Sequence, residues 1–232
     1  MDRPHKPVMS HPMAPGQAAE DVFKRVQAII KPATVGKPAA FDIVVIGVST
    51  GGPQALAQVI PKLPADLSVP VVIVQHMPAA FTTALADSLH EKSALAVVEG
   101  QPQQRLEAGT VYITPGGKQM KLVRPSALYP ACLCITDDPP ENHCKPSADY
   151  LFRKVADLYG KRTIEVIMTG MGADGVSGLR LMKQAGATVI AQDQASCVVF
   201  GMPMEAMKAG VVDRVAPLEQ LAAVISQYVA RR

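Results

Sequence analysis

The stretch Asp42-Ile-Val-Val-Ile-Gly-Val-Ser-Thr-Gly-Gly-Pro-Gln-Ala-Leu56 constrains this chain more than any other. Its apolar run 43–48 is short and rich in β-branched residues, the mark of a buried strand. The run breaks at Gly47, Ser49, Gly51 and Gly52 and passes through Pro53 into a helical pattern. A strand that turns at once into a helix belongs to an α/β fold. The glycines leave room for a tight turn and close backbone approach. Pro53 suits a first helical turn, where its missing N–H costs nothing. Gly47-x-Ser49-x-Gly51 has the spacing of a nucleophile elbow, which lifts a serine hydroxyl out at the sheet edge. Two other roles fit the same turn: serine as a helix N-cap, and glycines cradling a phosphate at the helix N-terminus. A nucleophilic Ser49 needs a base, an orienting acid and an oxyanion site from the rest of the chain.

Apolar strands alternate with helical patterns across residues 39–232. Strands are expected at 43–48, 69–75, 94–98, 164–169, 187–192 and 211–215. Helices are expected at 53–62, 79–91, 147–159, 176–185, 202–209 and 217–229. Three more β-like runs, 110–114, 119–123 and 131–136, are separated by Pro115-Gly116-Gly117 and the 125–130 stretch, which predicts an antiparallel hairpin or meander. The βαβα order predicts a doubly wound, mostly parallel sheet with helices on both faces and an antiparallel hairpin at one edge. Only 4% of residues are aromatic and none is Trp, so the core falls to Val, Ile, Leu, Ala and Met, which suits strands buried on both faces. Residues 1–38 read differently. Their four prolines within fifteen residues predict a disordered arm, with a short amphipathic helix over 19–30 and a linker at 31–38. The catalytic or binding domain is then 39–232.

The formal net charge of +3 is too mild and dispersed to point to nucleic acid. No apolar run approaches the ~20 residues of a membrane span, and the N-terminus does not lead into a signal-peptide core. The expectation is a cytoplasmic protein without membrane insertion, whose Cys132, Cys134, Cys144 and Cys197 are free thiols. Cys132, Cys134, His143 and Cys144 raise zinc, but their C-x-C…H-C spacing matches no common ligand pattern, so no metal is expected.

Two further stretches carry chemistry. His76 follows the strand ending at Gln75, on the same sheet edge as Ser49. Of the five histidines, only His76 and His143 are candidate general bases. Gly170-Met-Gly-Ala-Asp-Gly175 follows a strand and opens a helix, with Asp193 about twenty residues on, as in a dinucleotide fingerprint. Against nucleotide, Asp174 would set a carboxylate against the pyrophosphate. Asp174 makes better sense as the acid that orients a histidine, with the turn's N–H groups serving a developing oxyanion. The order Ser49, His76, Asp174 differs from that of the α/β-hydrolases, but triads are defined by geometry and role.

Taken together, Ile46-Gly-Val-Ser-Thr-Gly-Gly-Pro53, Ile73-Val-Gln-His-Met-Pro78, Tyr112-Ile-Thr-Pro-Gly116, Met168-Thr-Gly-Met-Gly-Ala-Asp-Gly175 and Gln194-Ala-Ser-Cys-Val-Val-Phe-Gly-Met-Pro203 resemble the catalytic domain of the CheB family of chemotaxis protein-glutamate methylesterases. The resemblance implies Ser49 as nucleophile, His76 as base, Asp174 as its acid, Thr50 as neighbouring residue and Met171 as the source of an oxyanion N–H. It implies hydrolysis of glutamate γ-methyl esters on methyl-accepting chemotaxis receptors, for some members also receptor glutamine deamidation, and no metal or organic cofactor. Lys145 stands where arginine is usual before Pro-Ser, which bears on receptor-surface contacts. Family members commonly carry an N-terminal phospho-receiver domain of ~120 residues, an ordinary domain length. Here only the arm and linker precede residue 39, as in a standalone member or as part of a longer protein, with a receiver acting in cis or in trans.

Overall fold

The computed structural model describes residues 41–126 and 129–230; the arm, short helix and linker expected within residues 1–38 lie outside them. In chain order the elements are β1 (Ile43–Val48), α1 (Gly52–Val59), β2 (Val71–Gln75), α2 (Ala79–His90), β3 (Ala96–Glu99), β4 (Thr110–Ile113), β5 (Gln119–Val123) and β6 (Cys132–Thr136). They continue as α3 (Ala148–Tyr159), β7 (Thr163–Ile167), α4 (Val176–Gln184), β8 (Thr188–Gln192), α5 (Met202–Lys208), β9 (Arg214–Ala216) and α6 (Leu218–Ala230). α1 stops before the expected residue 62 because Pro61 has no N–H to continue the ladder; the chain tightens into a 3₁₀ turn at Ile60–Lys62.

Seven strands form one parallel sheet in the order β3-β4-β2-β1-β7-β8-β9. Of the three mid-chain β-runs, the first joins this sheet as β4, and the other two pair antiparallel as a separate two-stranded sheet. The apolar alternation within β1 shows why both faces are covered. Val44, Ile46 and Val48 pack with α1, α2 and α6. Ile43 and Val45 pack with α3, α4, α5 and the β5–β6 hairpin, through residues such as Phe152, Leu179, Met202 and Leu122. A Cβ on Gly47 would come within 2.9 Å of the Phe152 ring, so this glycine lets α3 sit close on the sheet.

β1 pairs with β2 on one side and β7 on the other, with Val48 opposite Gln75 and Gly47 opposite Ile167. The chain runs outward from β1 to β2 and returns on its far side with β7. The carboxyl ends of these three strands therefore flank the switch point of the sheet, where ligands of open α/β folds bind.

Candidate active site

Ser49 is the first residue past β1, and the neighbouring strand ends hold it from both sides. Its N–H donates to Thr169 O (2.9 Å), while the His76 N–H donates to Val48 O (3.1 Å). Gly51 takes φ +81°, the left-handed turn that an L side chain resists, and leads into α1 with Pro53 in the first turn. The buried Gln75 side chain lies beneath the elbow. Its Nε2 donates to Ser49 O (2.9 Å) and His76 O (3.1 Å), and its carboxamide fills the space that a Cβ on Gly52 would need. Ser49 does not cap α1 through its side chain.

Asp174 comes from the β7–α4 turn but does not face the N-terminus of its own helix. It reaches across to the N-terminus of α3, where Ala148 N (2.6 Å) donates to Oδ2 and Ser147 Oγ (2.7 Å) to Oδ1. Asn142 Nδ2 adds a bond to Oδ1 at 3.0 Å, and His76 Nε2 lies 2.8 Å from Oδ2. Burial works to raise this carboxyl, but the bonds from His76, Asn142, Ser147 and Ala148 outweigh it and hold the pKa below the ordinary carboxylate range. An ionised Asp174 accepts only, so His76 Nε2 donates to it, and in the neutral imidazole the lone pair is then on Nδ1. The sheet register sets the two residues on adjoining strand ends: Ser49 and His76 are the next residues beyond the paired Val48 and Gln75.

Gly170 lies against the serine, since a Cβ there would come 2.7 Å from Ser49 Cβ. Its carbonyl takes the N–H groups of Gly201 (3.0 Å) and Met202 (2.9 Å), and its N–H donates to Val199 O (2.9 Å). Thr169 Oγ1 donates to Thr50 O (2.9 Å) and accepts from Val199 N (3.0 Å), so the 193–201 loop braces the elbow. No protein acceptor among the described residues takes the N–H of Thr50 or Met171. The Met171 side chain is 74% exposed and Val198 69% exposed, an apolar rim at the opening.

The other sequence candidates separate from this group. His143 is exposed and has no carboxylate partner among the described residues. Cys132, Cys134, His143 and Cys144 do not gather as a ligand set. Asp193, the acid of the dinucleotide alternative, instead accepts from Ser196 N (3.0 Å) and Ser196 Oγ (2.5 Å) in its own loop. Together with the turn of Asp174 toward α3, this departs from the arrangement of a dinucleotide fingerprint.

The contacts that Ser147 and Asn142 make with Asp174 escape a sequence reading. Ser147 caps α3, accepting from Tyr150 N (3.4 Å), and also donates to Asp174. Asn142 bridges Asp174 and the buried Asp149 (2.7 Å). Asn142 (φ 51°) and His143 (φ 62°) are the centre of a two-residue turn closed by mutual backbone bonds between Glu141 and Cys144 (3.0 and 2.8 Å). The two terminal guanidinium nitrogens of Arg153 on α3 pin this turn to Glu141 (2.5 and 2.7 Å). Asn142-His143 is a mild signal for such a turn, but of its two partner carboxylates Asp174 lies 32 residues along the chain. The turn brings Cys144 Sγ to 3.8 Å from His76 Nδ1. Burial, with the Asp174 and Asp149 carboxylates adding to it, pushes this thiol up to about 11, so it is neutral at pH 7.

A serine at a strand-to-helix elbow, a histidine on the adjoining strand end and a buried acid behind it form a hydrolase-like arrangement. The model of the family described as CheB methylesterase matches residues 44–225. The chain belongs to the CheB methylesterase family. The crystal structure of the Thermotoga maritima CheB methylesterase catalytic domain superposes with a TM-score of 0.79 at 39% identity, covering 82% of this chain and 99% of that one. A protein-glutamate methylesterase/protein-glutamine glutaminase of Desulfotalea psychrophila is 50% identical over 181 residues, 78% of this chain and 50% of that protein. The Bacillus subtilis protein of the same name is 47% identical over 210 residues, 89% of this chain and 58% of that protein. The chain thus spans about half the length of the curated relatives it matches. No helix among the described residues is long and apolar enough to cross a membrane.

Proposed function

We propose that this CheB-family chain hydrolyses glutamate γ-methyl esters on the cytoplasmic helices of methyl-accepting chemotaxis receptors, releasing methanol, and converts receptor glutamine side chains to glutamate by the same route. The observation that carries the reading is the His76–Asp174 pair at 2.8 Å, with Ser49 on the adjoining strand end. The names of the relatives supply the two activities.

In this reading His76 Nδ1 takes the Ser49 hydroxyl proton as Oγ attacks the ester carbonyl. Asp174 accepts the Nε2–H throughout and stabilises the imidazolium without taking its proton. The N–H of Met171, with that of Thr50 beside it, donates to the tetrahedral oxyanion. The imidazolium returns its proton to the departing methoxy oxygen, and methanol leaves a Ser49 acyl ester. Water then attacks the acyl carbon, giving its proton to His76 Nδ1, and Ser49 Oγ leaves with that proton. For a glutamine substrate the leaving group is ammonia. The Met171 and Val198 rim offers apolar contact to the receptor helix. Residues 39–232 form the catalytic domain, 1–38 are its arm and linker, and a phospho-receiver domain in cis or in trans is the regulatory partner, in the cytoplasm.

The test is methanol release from receptor membranes carrying methylated glutamates, with mass spectrometry following glutamine conversion. The parent should release methanol and Ser49→Ala should release none above background. Absence of methanol from the parent sinks the reading.

A further inference from the structure

We propose that the cleft between the 141–144 turn and the end of β2 binds one zinc ion, or a cation of similar softness, through Cys144 Sγ and His76 Nδ1, and that the bound ion switches the site off. The ligand atoms of His76, Cys144 and Asp174 all lie within 4.8 Å of one another, the one such group of three among the described residues. Zinc–sulfur and zinc–nitrogen bonds meeting at a tetrahedral angle hold their ligand atoms about 3.6 Å apart. Cys144 Sγ and His76 Nδ1 are 3.8 Å apart, so a change of tenths of an ångström admits the ion.

The surroundings fit a metal-bound histidine. Such a ring commonly donates its other N–H to a carboxylate, which fixes its tautomer; Asp174 Oδ2 is that carboxylate at Nε2. Cys144 sits on a turn closed by two backbone bonds and pinned to α3 by Arg153, so the thiol is held in place before any ion arrives. The remaining coordination positions open into a cavity of about 490 Å³ lined by His76, His143 and Cys144, with room for water. On binding, the Cys144 proton leaves to solvent and the His76 lone pair goes to the metal. Thiolate with imidazole selects zinc over magnesium or calcium.

The ion site stands on geometry alone. The switch rests on the esterase reading, because a coordinated Nδ1 has no lone pair for the Ser49 proton. Binding is read without turnover, by calorimetry with Zn²⁺ and by absorption spectroscopy with Co²⁺ on the full chain. The parent should bind one ion with a thiolate-to-cobalt charge-transfer band. Cys144→Ala and His76→Gln should each weaken binding about tenfold or more, as losses within a metal site do, and Cys144→Ser should lose the band with circular dichroism unchanged. In the methanol assay zinc should inhibit the parent, a chelator should restore it, and Cys144→Ala should need at least about tenfold more zinc, each protein compared with its own zinc-free rate. A charge-transfer band that survives in both Cys144 variants overturns the site. Cys144-dependent binding without inhibition overturns the switch. A zinc-free parent that releases no methanol sinks the esterase reading instead, and the cobalt spectrum still decides the ion site.

Discussion

His76 and His143 are both histidines near the same cleft, and only a partner distinguishes them. His76 has the Asp174 carboxylate at 2.8 Å and a strand register that sets it beside Ser49. His76→Gln should therefore lose turnover by orders of magnitude, leaving what the oxyanion donors and binding supply, whereas His143→Gln should stay within severalfold of the parent. Steady-state rates of the two variants decide it, and a larger loss at His143 would reverse the assignment. Asp174→Asn should cost about 10⁴-fold, because an amide in place of the carboxylate can hold the wrong histidine tautomer. Retention of more than a tenth of the parental rate would remove Asp174 from the mechanism. Ser49, His76 and Asp174 are legible in the sequence for a common reason. Each follows a short apolar run closed by glycine or a polar residue, so its place at a strand end is set locally. Gln75 and Asn142 are not legible. Their partners, Ser49 O and the Asp149 and Asp174 carboxylates, come within reach only through the packing of β1 on β2 and of α3 on the sheet.

At the scale of elements, β7 carries a feature that the rest of the sheet does not explain. Glu165 is fully buried beside Val45 and Val189, and neither carboxyl oxygen has a hydrogen-bond partner among the described residues. Burial, with Asp149 adding to it, raises its pKa well above the ordinary glutamate value. A raised folded-state pKa gives stability that is fully present below the unfolded value, about 4.3. That stability is lost as pH rises toward the folded value, at up to about 1.4 kcal/mol per pH unit. Glu165→Gln removes this slope whatever constant offset the amide brings. Urea midpoints from pH 5 to 8 should therefore show the variant gaining on the parent as pH rises, and parallel profiles would refute it. Element order and type were legible because β1, β2, β7 and β8 are short, mostly apolar, β-branched runs, β7 keeping that character around Glu165. The hairpin's isolation from the main sheet was not, since β4, β5 and β6 share one local pattern and differ in which strands they meet.

For the whole molecule, the domain proposal makes the arm dispensable. A chain beginning at Ala39 should fold, melt within about 5 °C of the full chain and keep its turnover, by differential scanning calorimetry and the methanol assay. A large loss in either would make residues 1–38 part of the domain. The sheet itself has a further consequence for how the protein is made. Among the described strands β1 is synthesised first and ends at the sheet's centre, yet one of its two edges waits for β7. Asp42 and Arg162, joined by backbone and side-chain bonds at that seam, are 120 residues apart in the chain. Until the later half is synthesised, the nascent polypeptide can assemble β1, β2, β4 and β3 with the apolar β1 as a bare edge, open to pairing with another chain. Ser49 and His76 already exist at that stage and Asp174 does not. The interval in which that edge is bare is thus also one in which the group of Ser49, His76 and Asp174 is incomplete.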